Sequence, residues 1–120
     1  MKIGISSVGT EGKDLLDRRF GRCDYFQIYD TESKETIAIE NEGKTAKGGA
    51  GIASAQQLLD KKVDVVITGN LGPNAFMIFE KARIKAYQCE SGSVRHAIEK
   101  LEKNELKELV QAGPSHQGMS

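Results

Sequence analysis

The side chains best suited to holding a soft metal are Cys23, Cys89, His96 and His116. Thiolate and imidazole are the donors that iron–sulfur species take. Two cysteines do not complete a conventional four-cysteine cluster within one chain. The chemistry they fit is loose capture of a preformed cluster through one or two bonds. Around them stand groups that suit an anion. Arg19 and Arg22 bracket Phe20-Gly21 just ahead of Cys23, and Asn41, Asn70 and Asn74 offer amide donors. Gly48, Gly49, Gly51, Gly69 and Gly72 would let a ligand approach the backbone closely.

Each of these residues has a plainer reading beside the chemical one. Cys23 is either a loop thiol whose pKa Arg22 lowers or a small half-buried residue at a strand start. Cys89, ending a strand, reads as core packing, since free cysteine is among the most buried residue types. His96 reads as a surface residue one turn into a helix, and His116 as part of a solvated tail. Gly48-Gly49-Ala50-Gly51 is a tight helix entry or a binding loop; three glycines in four positions cost more conformational entropy than a cap requires, which favours binding. It lacks the following Gly-Lys-Ser/Thr of a P-loop and does not match G-x-G-x-x-G, which weakens any case for a nucleotide.

Periodicity places these residues. Residues 2–6, with Ile3 and Ile5, form a first strand that Val8-Gly9-Thr10-Glu11-Gly12 ends. Tyr25-Phe26-Gln27-Ile28-Tyr29-Asp30 and Thr36-Ile37-Ala38-Ile39-Glu40 flank a polar turn as an antiparallel hairpin. The period then changes: Ile52, Ala55, Leu58 and Leu59 recur at helical spacing, and residues 63–67 form a β-branched strand covered on both faces. Pro73 opens a helix carrying Ala75, Phe76, Ile78, Phe79 and Ala82, and residues 84–87 form a further strand. Ser93 caps a last helix with Val94, Ala97, Ile98 and Leu101 on one face, which Leu106, Leu109 and Val110 extend as a further turn. The expected fold is α/β, one domain over residues 1–112 with a flexible tail at 113–120. Its five-stranded mixed sheet has the second strand antiparallel and about three helices, in the order β-β-β-α-β-α-β-α.

In open α/β sheets, ligands bind beyond the carboxyl ends of the parallel strands. Four of the expected strands end on that rim and the second begins there. It therefore collects Ser6-Ser7, Asn41 and residues 19–23, 48–51, 69–74 and 89–93. Three helix N-termini point toward it, each with unpaired N–H groups and a partial positive charge. The rim is thus expected to bind an anion, with Cys23, Cys89 and His96 within reach.

The whole chain narrows the function classes. It has 120 residues, and 17 Lys+Arg balance 17 Asp+Glu, which excludes a strongly basic nucleic-acid binder. No apolar run approaches the ~20 residues that span a bilayer, and the first residues lack the apolar core of a signal peptide. A cytoplasmic protein without membrane contact is expected. Two cysteines 66 positions apart make no disulfide scaffold. The first strand, Lys2-Ile3-Gly4-Ile5-Ser6, carries no acid for two-metal nuclease chemistry, and no histidine stands in an obvious nucleophile–base pair. A non-enzymatic protein is expected, a monomer or a weak dimer through its edge strands.

Four motifs follow in order: Phe20-Gly21-Arg22 with Tyr25-Phe26, then Gly48-Gly49-Ala50-Gly51, then Asp64-Val65-Val66-Ile67-Thr68-Gly69, then Gly72-Pro73-Asn74-Ala75. Together they resemble the dinitrogenase iron–molybdenum cofactor biosynthesis family, the NifX-like domain also found at the end of NifB-type proteins. The resemblance covers roughly residues 1–105. It implies a ribonuclease-H-like fold. It also implies a carrier that passes an iron–sulfur or iron–molybdenum-type cofactor precursor between metallocluster assembly proteins without turning over a substrate. The alternative is a metal-free module that docks on an assembly partner through the same rim. One departure matters: many members have histidine before Phe-Gly, where this chain has Arg19. If that histidine ligates the cluster in them, ligation here passes to Cys23 or Cys89, or is absent.

Overall fold

β1, Lys2–Ser7, buries every residue after Lys2 and lies inside the sheet of the computed structural model, which describes residues 1–113. β2, Tyr25–Asp30, pairs antiparallel with β1 and with β3, Thr36–Glu40, as the hairpin pattern requires. β4, Val65–Thr68, pairs parallel with β1, and β5, Lys85–Gln88, parallel with β4. A two-residue strand, β6, Lys107–Glu108, lies antiparallel along β5. The order across the sheet is β3-β2-β1-β4-β5-β6. Three α-helices complete the fold: α1, Ala50–Asp60, α2, Pro73–Lys81, and α3, Val94–Glu102. A 3₁₀ helix, Glu42–Thr45, fills part of the stretch between β3 and α1.

The sheet therefore has six strands rather than five, and β6 joins β2 in running against the rest. The cause is visible in Leu106 and Leu109. Asn104, at φ 58°, turns the chain out of α3. Leu106 then packs with the α3-side core, and Leu109 with the core beneath α1 and α2. A spacing of three would put both residues on one face of a helix; on a strand it puts them on opposite faces. The Leu109 N–H closes the pairing on Ala86 O at 2.8 Å. Residues 114–120, including His116 and nearly all of the expected tail, lie outside the described residues.

Two apolar clusters flank the sheet. Ala55, Leu58, Ala75 and Phe79 from α1 and α2 pack on Phe26, Ile28 and Val66. Val94, Ala97 and Ile98 from α3 pack on Ile3, Ile5 and Ile67. Val66 and Ile67 serve opposite faces, which is why β4 reads as a continuous apolar run. Phe20, fully buried, sets its ring 5.2 Å from Phe26 and 5.6 Å from Phe79, the latter edge-on. Burial of one such ring stabilises by about 1.5–3 kcal/mol. Phe20 thereby anchors the long β1–β2 connection to the core.

Candidate functional site

The chain leaves β1 toward β2 on one side, and β4 leads to β5 on the other, so the strand order reverses between β1 and β4. Beyond their carboxyl ends, and that of β5, lies a cleft of about 580 Å³, bordered by Val8, Leu15, Arg18, Arg19, Asn70 and Glu90. This is the location that parallel α/β topology favours for a ligand.

The cleft is built by the β1–β2 connection folding back over the rim. A buried hydroxyl pair holds that fold-back: Ser6 Oγ lies 2.8 Å from Thr68 Oγ1 and donates to Asp17 O at 2.6 Å. The Asp17 N–H returns a bond to Ser6 O at 2.9 Å, and the Leu16 N–H bonds Gly92 O at 3.0 Å. Arg19 then bridges in parallel to Asn70. This course requires glycine at 69, because a Cβ there would lie 2.5 Å from Arg18 Cβ and 2.7 Å from Arg18 Cα. The close approach at Gly69 is therefore made by the chain itself.

The charges of the cleft are unequal in availability. Asp17, 7% exposed, is gripped by Arg19 through Nε at 3.2 Å and Nη2 at 3.0 Å, and also accepts from the Arg19 N–H at 2.9 Å. The hydrogen bond and charge of Asp17 raise the pKa of Arg19, so that guanidinium stays protonated but largely neutralised. Arg18 is exposed and makes no ion pair among the described residues. Glu90 is exposed on the opposite lip. Val8 and Leu15, 44% and 58% exposed, give one side an apolar surface, and the Val8 N–H bonds Leu15 O at 3.1 Å.

Of the residues singled out in the sequence, Arg19, Gly69 and Asn70 line this cleft. Arg22 does not. Its Nη1 donates to the carbonyls of Gly43, Lys44 and Ala46 at 3.3, 2.9 and 2.9 Å, tying down the 3₁₀ helix. Asn41 is 5% exposed and fully engaged: Nδ2 donates to Gly21 O and Cys23 O, while Oδ1 accepts from the Gly43 N–H and Ser54 Oγ. Gly49 takes the left-handed conformation, φ 68°, as N-cap of α1, Gly51 is buried in that helix, and Gly48 faces open space. Gly72 caps α2, and Asn74 is exposed in its first turn.

The thiols follow their plainer readings: Cys89 packs in the core as expected, and Cys23 is a buried residue rather than a loop thiol. Cys23 is fully buried, and burial pushes its pKa up to about 12 rather than down. Its Sγ contacts Phe20 O at 3.3 Å. Cys89 is 4% exposed, with Sγ 3.4 Å from Ser91 O. His96 is exposed on α3 against Gly92, outside the cleft lining. No three His, Cys, Asp or Glu side chains gather as a metal-ligand group among the described residues. Asp17, Arg18 and the Val8–Leu15 lip went unremarked in the sequence. Their signal was the run Asp17-Arg18-Arg19 immediately before Phe20-Gly21, in a connection that must start and end at the same rim.

The profile of the family described as dinitrogenase iron–molybdenum cofactor matches residues 1–104, and the chain belongs to that family. It is 33% identical over 98 residues to an uncharacterized protein of Methanocaldococcus jannaschii, covering 75% of this chain and 83% of that one. Among solved structures it is similar to the apo form of the orange protein from Desulfovibrio gigas, with a TM-score of 0.89 and 30% identity over 93% of this chain and 95% of that one. It is also similar to a Thermotoga protein provisionally assigned as NifB, with a TM-score of 0.82 and 36% identity over 93% and 96% of the two chains. No helix among the described residues is long and apolar enough to cross a membrane.

Proposed function

We propose that this protein is a non-enzymatic carrier for a preformed, anionic iron–sulfur or iron–molybdenum-type cofactor precursor, taken up in the rim cleft and handed between metallocluster assembly proteins of the cytoplasm. The observation that carries this reading is the cleft itself, at the strand-order reversal of a dinitrogenase-cofactor family member, with the exposed Arg18 guanidinium at its mouth in no ion pair among the described residues. Arg18 supplies charge, and Val8 with Leu15 supplies an apolar wall suited to polarizable sulfide faces. With both thiols buried and Cys23 held protonated, the cargo is held by contact rather than by thiolate bonds. Loose holding suits a protein that must release its cargo. The absence of any acid on β1 is in keeping with a non-enzymatic role. We read the β3-β2-β1-β4-β5 portion of the sheet as the ribonuclease-H-like core implied by the sequence motifs.

The test is anaerobic incubation with a reconstituted iron–sulfur precursor, followed by gel filtration, iron analysis and visible absorbance. Arg18→Glu is expected to weaken retention about tenfold, the equivalent of about 1.4 kcal/mol. Cys23→Ser and Cys89→Ser should retain iron. Loss of iron from a serine variant with Arg18→Glu unaffected would instead establish thiolate ligation, with His96 as the next candidate ligand. The second reading, a metal-free docking module, is favoured by the exposed Val8 and Leu15 side chains at the lip. It becomes the better account if the wild type retains no iron.

A further inference from the structure

Two hydrogen bonds fix which backbone groups of β3 face away from the sheet. The Asn41 N–H donates to Asp24 O at 3.0 Å, and the Asp30 N–H to Glu35 O at 3.0 Å, both in the register that pairs Tyr25 with Glu40. Along an antiparallel pair, residues alternate between bonding the neighbouring strand and facing outward. Ile37 and Ile39 therefore bond toward β2, and the N–H and C=O groups of Thr36, Ala38 and Glu40 face outward. Since β3 is an edge of the sheet, no strand among the described residues receives them. The Glu40 carbonyl alone is engaged from the side, by Gln57 Nε2 at 2.6 Å. Thr36, Ile37 and Ala38 are exposed, Ile37 by 53%. The strand has no lysine, proline or bulge to blunt it, and its one charge, Glu40, stands at its end. The opposite edge, β6, is blunted by its two-residue length and the charges of Lys107 and Glu108.

We propose that β3 is a self-association edge, at which two copies of this chain pair antiparallel about a twofold axis at Ala38 and join their sheets into one. Full overlap of the five residues sets Ala38 opposite Ala38, Ile37 opposite Ile39 and Thr36 opposite Glu40. The two Ala38 residues exchange both N–H···O bonds, and the Glu40 N–H of each copy donates to the Thr36 carbonyl of the other. Ile37 and Ile39 fall at the non-hydrogen-bonded positions, where cross-strand side chains come closest. The half-exposed Ile37 is thereby covered. No like charges meet along the five paired residues. A segment that is complementary to its own reverse argues for a second copy as the occupant, rather than an unrelated strand.

A five-residue ladder buries less than the ~1,200 Å² of a stable interface, so the dimer is weak, with half-association at about 0.1–1 mM. Sedimentation equilibrium of the full chain up to about 1 mM, with amide chemical shifts followed over the same range, reads it out. The expected result is a monomer–dimer equilibrium with concentration-dependent shifts centred on residues 36–40. Ile37→Lys should weaken association at least about tenfold, by placing a cation in the apolar cross-strand pair. Ala38→Pro should do the same by deleting an outward N–H, which leaves the β2 ladder intact. Far-UV circular dichroism confirms folding of each variant, and Ile37→Lys decides if Ala38→Pro does not fold. A monomer throughout, or a dimer indifferent to both strand variants, overturns the proposal. So does capture of an unrelated extended peptide along residues 36–40 by a chain that stays monomeric.

Discussion

Cys23 and Cys89 lie in separate apolar clusters on opposite faces of the six-stranded sheet. Cys23 packs with Phe20, Phe26 and the residues of α1 and α2, whereas Cys89 packs with Leu16, Val94 and the residues of α3. One cluster gripped by both sulfurs would require the layers between them to part. The thiols are better understood through what their burial does.

Burial of Cys23 makes stability fall in alkali. Its pKa stands at about 12 in the folded chain, against an ordinary 9.0. A group whose folded pKa is raised contributes stability fully present below the unfolded value and lost as pH climbs toward the folded one. Between pH 9 and 12 the unfolded chain releases this proton and the folded chain keeps it, at about 1.4 kcal/mol per pH unit. Denaturant titrations at pH 8, 9, 10 and 11 should be nearly level from 8 to 9 and then steepen toward that slope in the wild type, and lose it in Cys23→Ala. At pH 8 the thiolate fraction of Cys23 is about 10⁻⁴, so iodoacetamide should leave it unmodified until the chain is unfolded. Prompt alkylation in the native state would show that the thiol is accessible after all.

Asn41 holds together the loop before β2, the 3₁₀ helix and α1. Its amide donates at 3.0 Å to Gly21 O and 2.9 Å to Cys23 O, and its carbonyl accepts at 2.9 Å from the Gly43 N–H and 2.7 Å from Ser54 Oγ. Asn41→Asp keeps the two acceptor contacts and turns a carboxylate oxygen on two carbonyls. The expected loss is about 3 kcal/mol or more at pH 7, with no cargo present. The raised pKa of the new carboxyl should shrink that loss as pH falls from neutral toward about 4, since the folded group regains its proton and can again donate, with no further change below that pH. An unchanged melting temperature in the cargo-free protein would leave Asn41 available for a ligand.

Gly69 and Gly48 should respond oppositely to alanine. At position 69 the new Cβ meets Arg18 backbone and side chain at 2.5–2.7 Å, which costs about 1–3 kcal/mol and displaces Arg18 from the cleft. At position 48 nothing lies within 4 Å, and the loss of unfolded-state freedom should stabilise by about 0.4–1 kcal/mol. Thermal unfolding separates the two. Iron retention by Gly48→Ala then tests the glycine run as a binding loop: undiminished retention removes Gly48 from the cargo site, and a marked loss places it there.

Much of the fold could be read along the chain because long elements carry a period. The hairpin of β2 and β3 alternates, α1 and α2 repeat at helical spacing, and the Val65-Val66-Ile67 run marks a strand covered on both faces. β6 escaped because two residues hold no period, and Leu106 and Leu109 fit either geometry until their packing partners are known. The site was legible where topology alone decides position. Arg19, Gly69 and Asn70 sit on the rim because strands must end there.

Sequence alone was enough for the class of fold, the rim and the family, since periodicity and ordered motifs are local properties of the chain. Tertiary structure decided which rim groups remain free. The acceptors that occupy Arg22 lie 21 to 24 positions away, and Asn41 bonds residues 20 positions before it and 13 after. The apolar environment that keeps Cys23 protonated includes Ala55, Leu58, Ala75 and Phe79, all more than thirty positions downstream. A side chain's type states what it can donate, accept or ligate. Only the fold decides whether its own chain has already taken that capacity, because hydrogen bonding and desolvation depend on distance in space rather than along the sequence.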